Sequence, residues 1–145
     1  MYSAPSAVAT PRIRHLAGAY HQVGMQTAVC TASPHQLVAM LFDGFVVAVN
    51  RARGAMRSGD LTVKGESIGH AVRIIDEGLK SALNLNAGGK LASDLGELYA
   101  YVCLRLTQAN FRNDEAALEE CLGLIQPLRD AWTAIANQVE PPARG

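Results

Sequence analysis

From residue 33 onward, apolar residues recur three and four positions apart in four successive stretches, separated by turn-forming residues. The first stretch, SPHQLVAMLFDGFVVAVNRARGAM, organises the rest. Ser33 stands at an N-cap position, Pro34 at the first helical position, where its missing N–H costs nothing, and Gln36 completes a capping box. Leu37, Leu41, Phe45, Ala48 and Ala52 trace one stripe, and Val38, Phe42, Val46 and Val49 trace a second beside it. Asp43 is the only charge between Ser33 and Arg51, so this helix is apolar over most of its circumference and needs cover on more than one side. The pattern predicts that something besides the chain's own helices supplies part of that cover.

Three further helices follow. Ser58-Gly59-Asp60 marks a tight connection into a pattern carried by Val63, Ile68, Ala71, Ile75, Leu79 and Leu83, whose polar face holds Lys64, Glu66, Arg73, Asp76, Glu77 and Lys80. NLNAGGK, residues 84 to 90, is the plainest turn, its adjacent glycines suited to positive φ. A third helix runs from Leu91 to about Phe111 on Leu95, Leu98, Tyr99, Val102, Leu106 and Ala109. Asn113 and Asp114 cap a fourth, with Glu115, Glu119 and Glu120 at its positive end and Leu118, Leu122, Ile125, Leu128, Trp132 and Ile135 as its stripe. Pro127 should kink that helix or end its first segment.

Before residue 33, positions 1–18 are rich in Ala, Ser, Pro and Gly and read as a flexible tail. Ile13, Leu16, Tyr20 and Val23 fall at helical spacing, too short to be stable alone, and predict a segment that lies on the domain's own apolar groove. With no strand-like alternation and no repeat, the expectation is an all-α chain: an antiparallel up-down-up-down four-helix bundle over residues 19–138. A short N-terminal helical segment or cap precedes it, and a disordered C-terminal tail occupies 139–145.

Composition narrows the function classes. A chain of 145 residues with 49% hydrophobic residues can bury a real core. A formal net charge of zero, with 18% charged residues, provides no field to draw in nucleic acid or anionic lipid. Cys30, Cys103 and Cys121 fit neither a disulfide framework nor a zinc knuckle, which predicts reduced thiols in the cytoplasm; no signal peptide, membrane insertion or cofactor is expected. Gly88-Gly89-Lys90 has the ending of a phosphate loop, but Asn84 and Leu91 replace the Gly and the Ser or Thr that such a loop needs, so it reads as a turn. A di-metal site needs inward Glu-x-x-His pairs, which are absent; Glu66 and His70 give two ligands at most, and His15, His21 and His35 are scattered. No Ser or Cys has a catalytic partner that the sequence supports, so no enzyme is expected. Arg51, Arg53 and Arg57 gather at the end of the first helix, where they favour its negative pole or, as a second possibility, an acidic partner.

The order and spacing of TASPHQLVAMLFDG, GGKLASDLGELYAYVCLRLTQAN and LIQPLRDAW resemble the flagellin-specific export chaperone family, FliS, from about Tyr20 to Trp132. The resemblance implies a cytoplasmic helical bundle, monomer or homodimer. It also implies a chaperone that binds the disordered C-terminal segment of flagellin, prevents premature polymerisation and delivers its client to the gate of the flagellar type III export apparatus. The alternative is a helical adaptor or regulatory module for a different cytosolic protein.

Residue by residue, Tyr20 matches an aromatic that in the family lies near the client groove, although it serves equally as a staple for the tail. Leu37, Met40, Leu41 and Phe42 match the apolar run of the first helix and divide between groove and core. Asp43 and Gly44 match an Asp-Gly pair, read as a polar contact at the groove edge and a close backbone approach, or as an exposed acid and a packing glycine. Leu95, Leu98, Tyr99, Tyr101 and Asn110 match the third-helix segment, where a tyrosine suits an interface as well as a core. Lys90, Asp94 and Asn84 depart from the family's usual acid, Asn and Asp, which rearranges charge around the second turn.

Overall fold

The structure, a computed structural model, describes residues 32–86 and 88–139. The tail of residues 1–18, the apolar spacing at Ile13, Leu16, Tyr20 and Val23, the histidines His15 and His21, Cys30 and residues 140–145 lie outside the described residues. All regular structure among the described residues is helical: α1 (Pro34–Ser58), α2 (Leu61–Arg73), a π-helical stretch (Ile74–Leu79), α3 (Lys80–Asn86), α4 (Gly89–Arg112) and α5 (Glu115–Val139). None of these helices is long and apolar enough to cross a membrane. The backbone stays right-handed helical at Arg73, Ile74 and Lys80, so α2, the π stretch and α3 form one composite rod, and the described residues make four rods.

Local chemistry sets the rod ends. Ser33 Oγ accepts from the Gln36 N–H at 3.1 Å while Gln36 Oε1 accepts from the Ser33 N–H at 2.8 Å, the reciprocal box expected from the sequence. α1 stops because Gly59 takes φ of 78°, turning the N–H groups of Gly59 and Asp60 back onto the Met56 and Ala55 carbonyls at 3.3 and 2.9 Å. One residue later Asp60 Oδ1 accepts from Val63 N–H at 3.1 Å and starts α2. At the other corner, Asn113 (φ 54°) closes α4, and Asp114 Oδ1 accepts from Ala117 N–H at 3.3 Å to open α5. In the glycine turn the work is divided: Gly88 is an extended N-cap and only Gly89 has positive φ, 69°.

The core is centred on α1. Val38, Leu41, Phe42, Phe45, Ala48, Val49, Ala52 and Ala55 are all buried, covered by α2, the π stretch and α5. The double stripe is therefore covered largely by the chain itself, where the sequence pattern pointed to outside help. The π stretch is a second departure. Lys80 N–H returns to the Ile75 carbonyl, five residues back, and the wider turn buries Ile74, Ile75, Gly78 and Leu79 together. Gly78 makes the close approach there: a Cβ would sit 2.9 Å from both terminal carbons of Leu41, which is 1% exposed, so that side chain would have to shift.

Two polar expectations are refined, and one of the two alternatives for Pro127 falls away. Lys64, assigned to a polar face, is 7% exposed; its Nζ donates to the Asn110 carbonyl at 3.0 Å and to Asn113 Oδ1, so the cation sits at the carbonyl end of α4 and ties the start of α2 to the α4–α5 corner. Arg57 stands in the last turn of α1 as expected, and it and Arg53 also pair with acids of α5. Arg53 reaches Glu115 and Glu119 at 3.2 and 3.1 Å, and Arg57 grips both carboxylate oxygens of Glu115. Pro127 does not end α5, which continues to Val139. The hydrogen bond it forfeits is the one to the Gly123 carbonyl, and both residues are exposed, so the loss falls on the solvent side of the helix and not in the core.

Two predictions follow from this packing. Gly78→Ala gains up to ~1 kcal/mol of helix propensity but overpacks Leu41 at a cost of ~1–3 kcal/mol, for a net loss of about 1 kcal/mol. In a Leu41→Ala background the same substitution becomes neutral or stabilising, a sign change that a double-mutant cycle of urea unfolding reads directly. Stability is also limited at both ends of the pH scale. The bonds from Arg57 to Glu115, and from Tyr101 and then Arg105 to Glu120, hold both carboxyls below their ordinary 4.5. Their contribution is present above that value and lost as pH falls through the folded-state values. Burial pushes the thiols of Cys103 and Cys121 up from 9.0 to about 11 and about 12, and the Tyr99 phenol from 10.0 to about 12. The unfolded chain ionises first there, so stability falls from about pH 9 upward. Thermal melts across pH should show a plateau between these limbs, with Glu115→Gln flattening the acid limb and Tyr99→Phe the alkaline one.

Candidate functional site

A groove of about 370 Å³ opens where the first half of α1, the end of the composite rod, the first half of α4 and the last turns of α5 converge. α1 contributes Val38 and Phe42, and the composite rod Leu79, Ala82 and Leu83. α4 adds Leu91, Leu95 and Tyr99, and α5 adds Leu128, Ala131, Trp132 and Ile135. Each wall is the end of a stripe whose middle is core: Leu95 and Tyr99 continue into Val102 and Leu106, and Leu128 and Trp132 continue from Leu118, Leu122 and Ile125. The groove exists because the stripes run past the point where the four rods close on one another. Leu91, 65% exposed, and Ile135, 44% exposed, form its open rim.

The lining has almost no polar chemistry. Only Tyr99 and Trp132 carry a polar side-chain atom, and none of the lining side chains is charged at neutral pH. Burial keeps the Tyr99 phenol protonated, and the Trp132 indole N–H donates to the His35 carbonyl at 3.0 Å. Such a surface binds apolar groups by excluding water and has nothing to offer proton transfer or nucleophilic attack.

Of the residues singled out in the sequence, the groove brings together Phe42, Leu95 and Tyr99. Leu37, Met40 and Leu98 are half-buried and pack against the core without lining it. Leu41 lies under Gly78 and is core, because it is sealed on the interior side of α1. Asp43 is exposed and pairs with Arg129 Nε at 3.0 Å, one residue from the lining positions Phe42 and Leu128. Gly44, its neighbour, is half-buried. Tyr101 is elsewhere: its hydroxyl donates to Glu120, which also accepts from Arg105 Nε at 2.7 Å. Asn110 lies at the opposite end of α4, its carbonyl holding Lys64. Tyr20 is outside the described residues.

Sequence reasoning missed the α3 and α5 walls. Leu79, Leu83, Leu128, Trp132 and Ile135 read as core stripe, which they are by spacing; the usable signal was that the stripe of the last helix continues ten residues beyond Ile125, further than the other predicted helices need for their own cover. Lys90 and Asp94, two departures from the family pattern, pair with each other at 3.1 Å on exposed α4.

Comparison with known proteins agrees with this picture. A family profile described as "Flagellar protein FliS" matches residues 16–139. The chain is similar to the flagellar secretion chaperone FliS of Salmonella typhimurium, 49% identical over 86% of this chain and 90% of that one. It is 43% identical to the protein of the same name from Escherichia coli, over 79% and 84% of the two chains. With FliSB of Pseudomonas aeruginosa it shares 38% identity over 81% and 93%. The resemblance carried by TASPHQLVAMLFDG thus extends over nearly the whole described region, and the chain belongs to the FliS family of flagellar proteins.

Proposed function

We propose that this protein is a cytoplasmic export chaperone that takes the disordered C-terminal segment of flagellin onto its apolar groove, keeps it from polymerising and delivers it to the gate of the flagellar type III export apparatus. The observation that carries the reading is the groove itself: a concave surface, apolar on every wall, in a member of a flagellar family whose relatives are named secretion chaperones. On this reading the four rods alternate up and down, with corners of two residues at Gly59-Asp60 and Asn113-Asp114, and that alternation brings the lining turns to one end.

The client chemistry follows from the lining. A segment that becomes a filament helix carries an apolar stripe, and as a free monomer it is a hazard for self-association. Laid in the groove, its i, i+3, i+4 and i+7 side chains exchange water for Phe42, Leu95, Tyr99 and Trp132. Folding on binding costs ~2–5 kcal/mol, which apolar burial at ~25 cal/mol per Å² offsets once a few hundred Å² are covered. Leu37, Met40 and Leu98 pack against the same core as the lining, and the Asp43–Arg129 pair lies beside it.

Calorimetric titration with flagellin of the same organism, full-length and with the C-terminal segment removed, tests this. Tight binding of the first with a strongly negative heat-capacity change, lost in the second, is expected. Leu91→Asp should weaken binding at least tenfold while shifting stability by no more than about 0.5 kcal/mol, since Leu91 is exposed and an acid suits the first turn of α4. Absence of binding to full-length flagellin would overturn the proposal, and capture of another cytosolic protein would then favour an adaptor.

A further inference from the structure

Trp132, on the α5 wall, is held by a residue that does not line the groove. Its indole N–H donates to the His35 carbonyl at 3.0 Å, and His35 Nε2 lies 3.2 Å from the Trp132 carbonyl. A carbonyl only accepts, so Nε2 carries the proton and the two residues exchange hydrogen bonds across 97 positions of sequence. The rings also stack, with centroids 4.2 Å apart and planes 14° from parallel. Phe42, itself a lining residue, meets Trp132 at 6.5 Å and 54°. An indole side chain has two torsions; the stack on the His35 ring and the N–H bond to the His35 carbonyl fix both, while the His35 Nε2 bond holds the Trp132 backbone.

We infer that His35 is a positioning residue for the groove: it holds Trp132 in the orientation that makes the α5 wall, and it keeps the indole's single donor on the chain's own backbone so that this wall offers only apolar contact. The inference rests on the chaperone reading for its client but not for its geometry. Two consequences follow from the physics. A free indole N–H at this wall would demand a polar partner from whatever docks, and an unclasped Trp132 would have to be ordered at the moment of binding, which weakens affinity. The clasp removes both costs in advance, since its donors and acceptors are satisfied in the free protein. It also ties the first turn of α1, next to the Ser33 cap, to the last third of α5.

The test uses the full chain, in which Trp132 is the sole tryptophan and therefore an unambiguous emission probe. His35→Ala removes the stack and one hydrogen bond, and His35→Phe keeps the stack. In His35→Ala the emission of the free protein should move to longer wavelength, and affinity for full-length flagellin should fall about five- to tenfold, the scale of an aromatic pair. His35→Phe should restore both the emission and most of the affinity, a rescue that general destabilisation does not give. Unchanged emission in His35→Ala, or a His35→Phe variant as weak as His35→Ala, overturns the inference. Failure of the wild-type chain to bind flagellin would strike the proposed function alone, because the emission of the unliganded variants still decides the clasp.

Discussion

A helix that is apolar around most of its circumference can persist in water only if other helices wrap it, and α1 is that helix. Eight of its residues are buried, among them Leu41, Phe45, Val49 and Ala52, in contact with a core drawn from every other rod. Removing apolar area from water is non-directional, so burial alone leaves the register of the surrounding rods open. Register here comes from contacts that only one arrangement satisfies. Gly78 admits Leu41 at a distance that no side chain would allow, Lys64 closes on the carbonyl end of α4, and Arg53 and Arg57 converge on Glu115 at the start of α5. The exposed ion pairs among these add little stability individually, but each one names a partner.

The groove follows from the same arrangement. Lys64 and the arginine–glutamate pairs draw the rods together at the end where α1 finishes and α5 begins. At the other end the rods are joined through the glycine turn, and the only described polar ties across it are the Asp43–Arg129 pair and the clasp between His35 and Trp132. Apolar stripes that would be sealed in a longer bundle are therefore left open there by the described residues, bounded by Leu91 and Ile135. A site of this kind costs the chain some exposed apolar surface, which is the usual mark of an interaction surface.

Much of this was legible in the sequence and some of it could not have been. The capping box at Ser33, the corners at Gly59-Asp60 and Asn113-Asp114 and the four apolar periodicities are local properties, and they appear where the pattern put them. The motif around Phe42, Asp43, Leu95 and Tyr99 led to the family and, for three of those four residues, to the lining. What failed was non-local. Spacing of three and four is shared by a π turn and an α-helix, so the stretch at Ile74–Leu79 left no trace in the periodicity. Nothing in the order of residues distinguishes a lysine bound for solvent from Lys64, whose acceptors lie 46 and 49 positions away. Leu41 and Phe42 are adjacent and equally apolar; which one meets the groove is decided by how α1 is rotated against Gly78.

That division between local and non-local also bears on the charge rearrangement at the second turn. Lys90 and Asp94 depart from the family's pattern together, and they sit four residues apart on one helix, paired with each other at 3.1 Å. Between and beside them Leu91 and Leu95 keep their places in the lining. A helix presents positions 90 and 94 on one strip of its surface and 91 and 95 on the adjacent strip, so charge can be exchanged within the first without altering the second. The groove contains no charged side chain to respond to the exchange. Recognition by such a surface is set by the shape and spacing of apolar side chains, and a charge pair closed within the neighbouring strip, as Lys90–Asp94 is, leaves that shape unchanged.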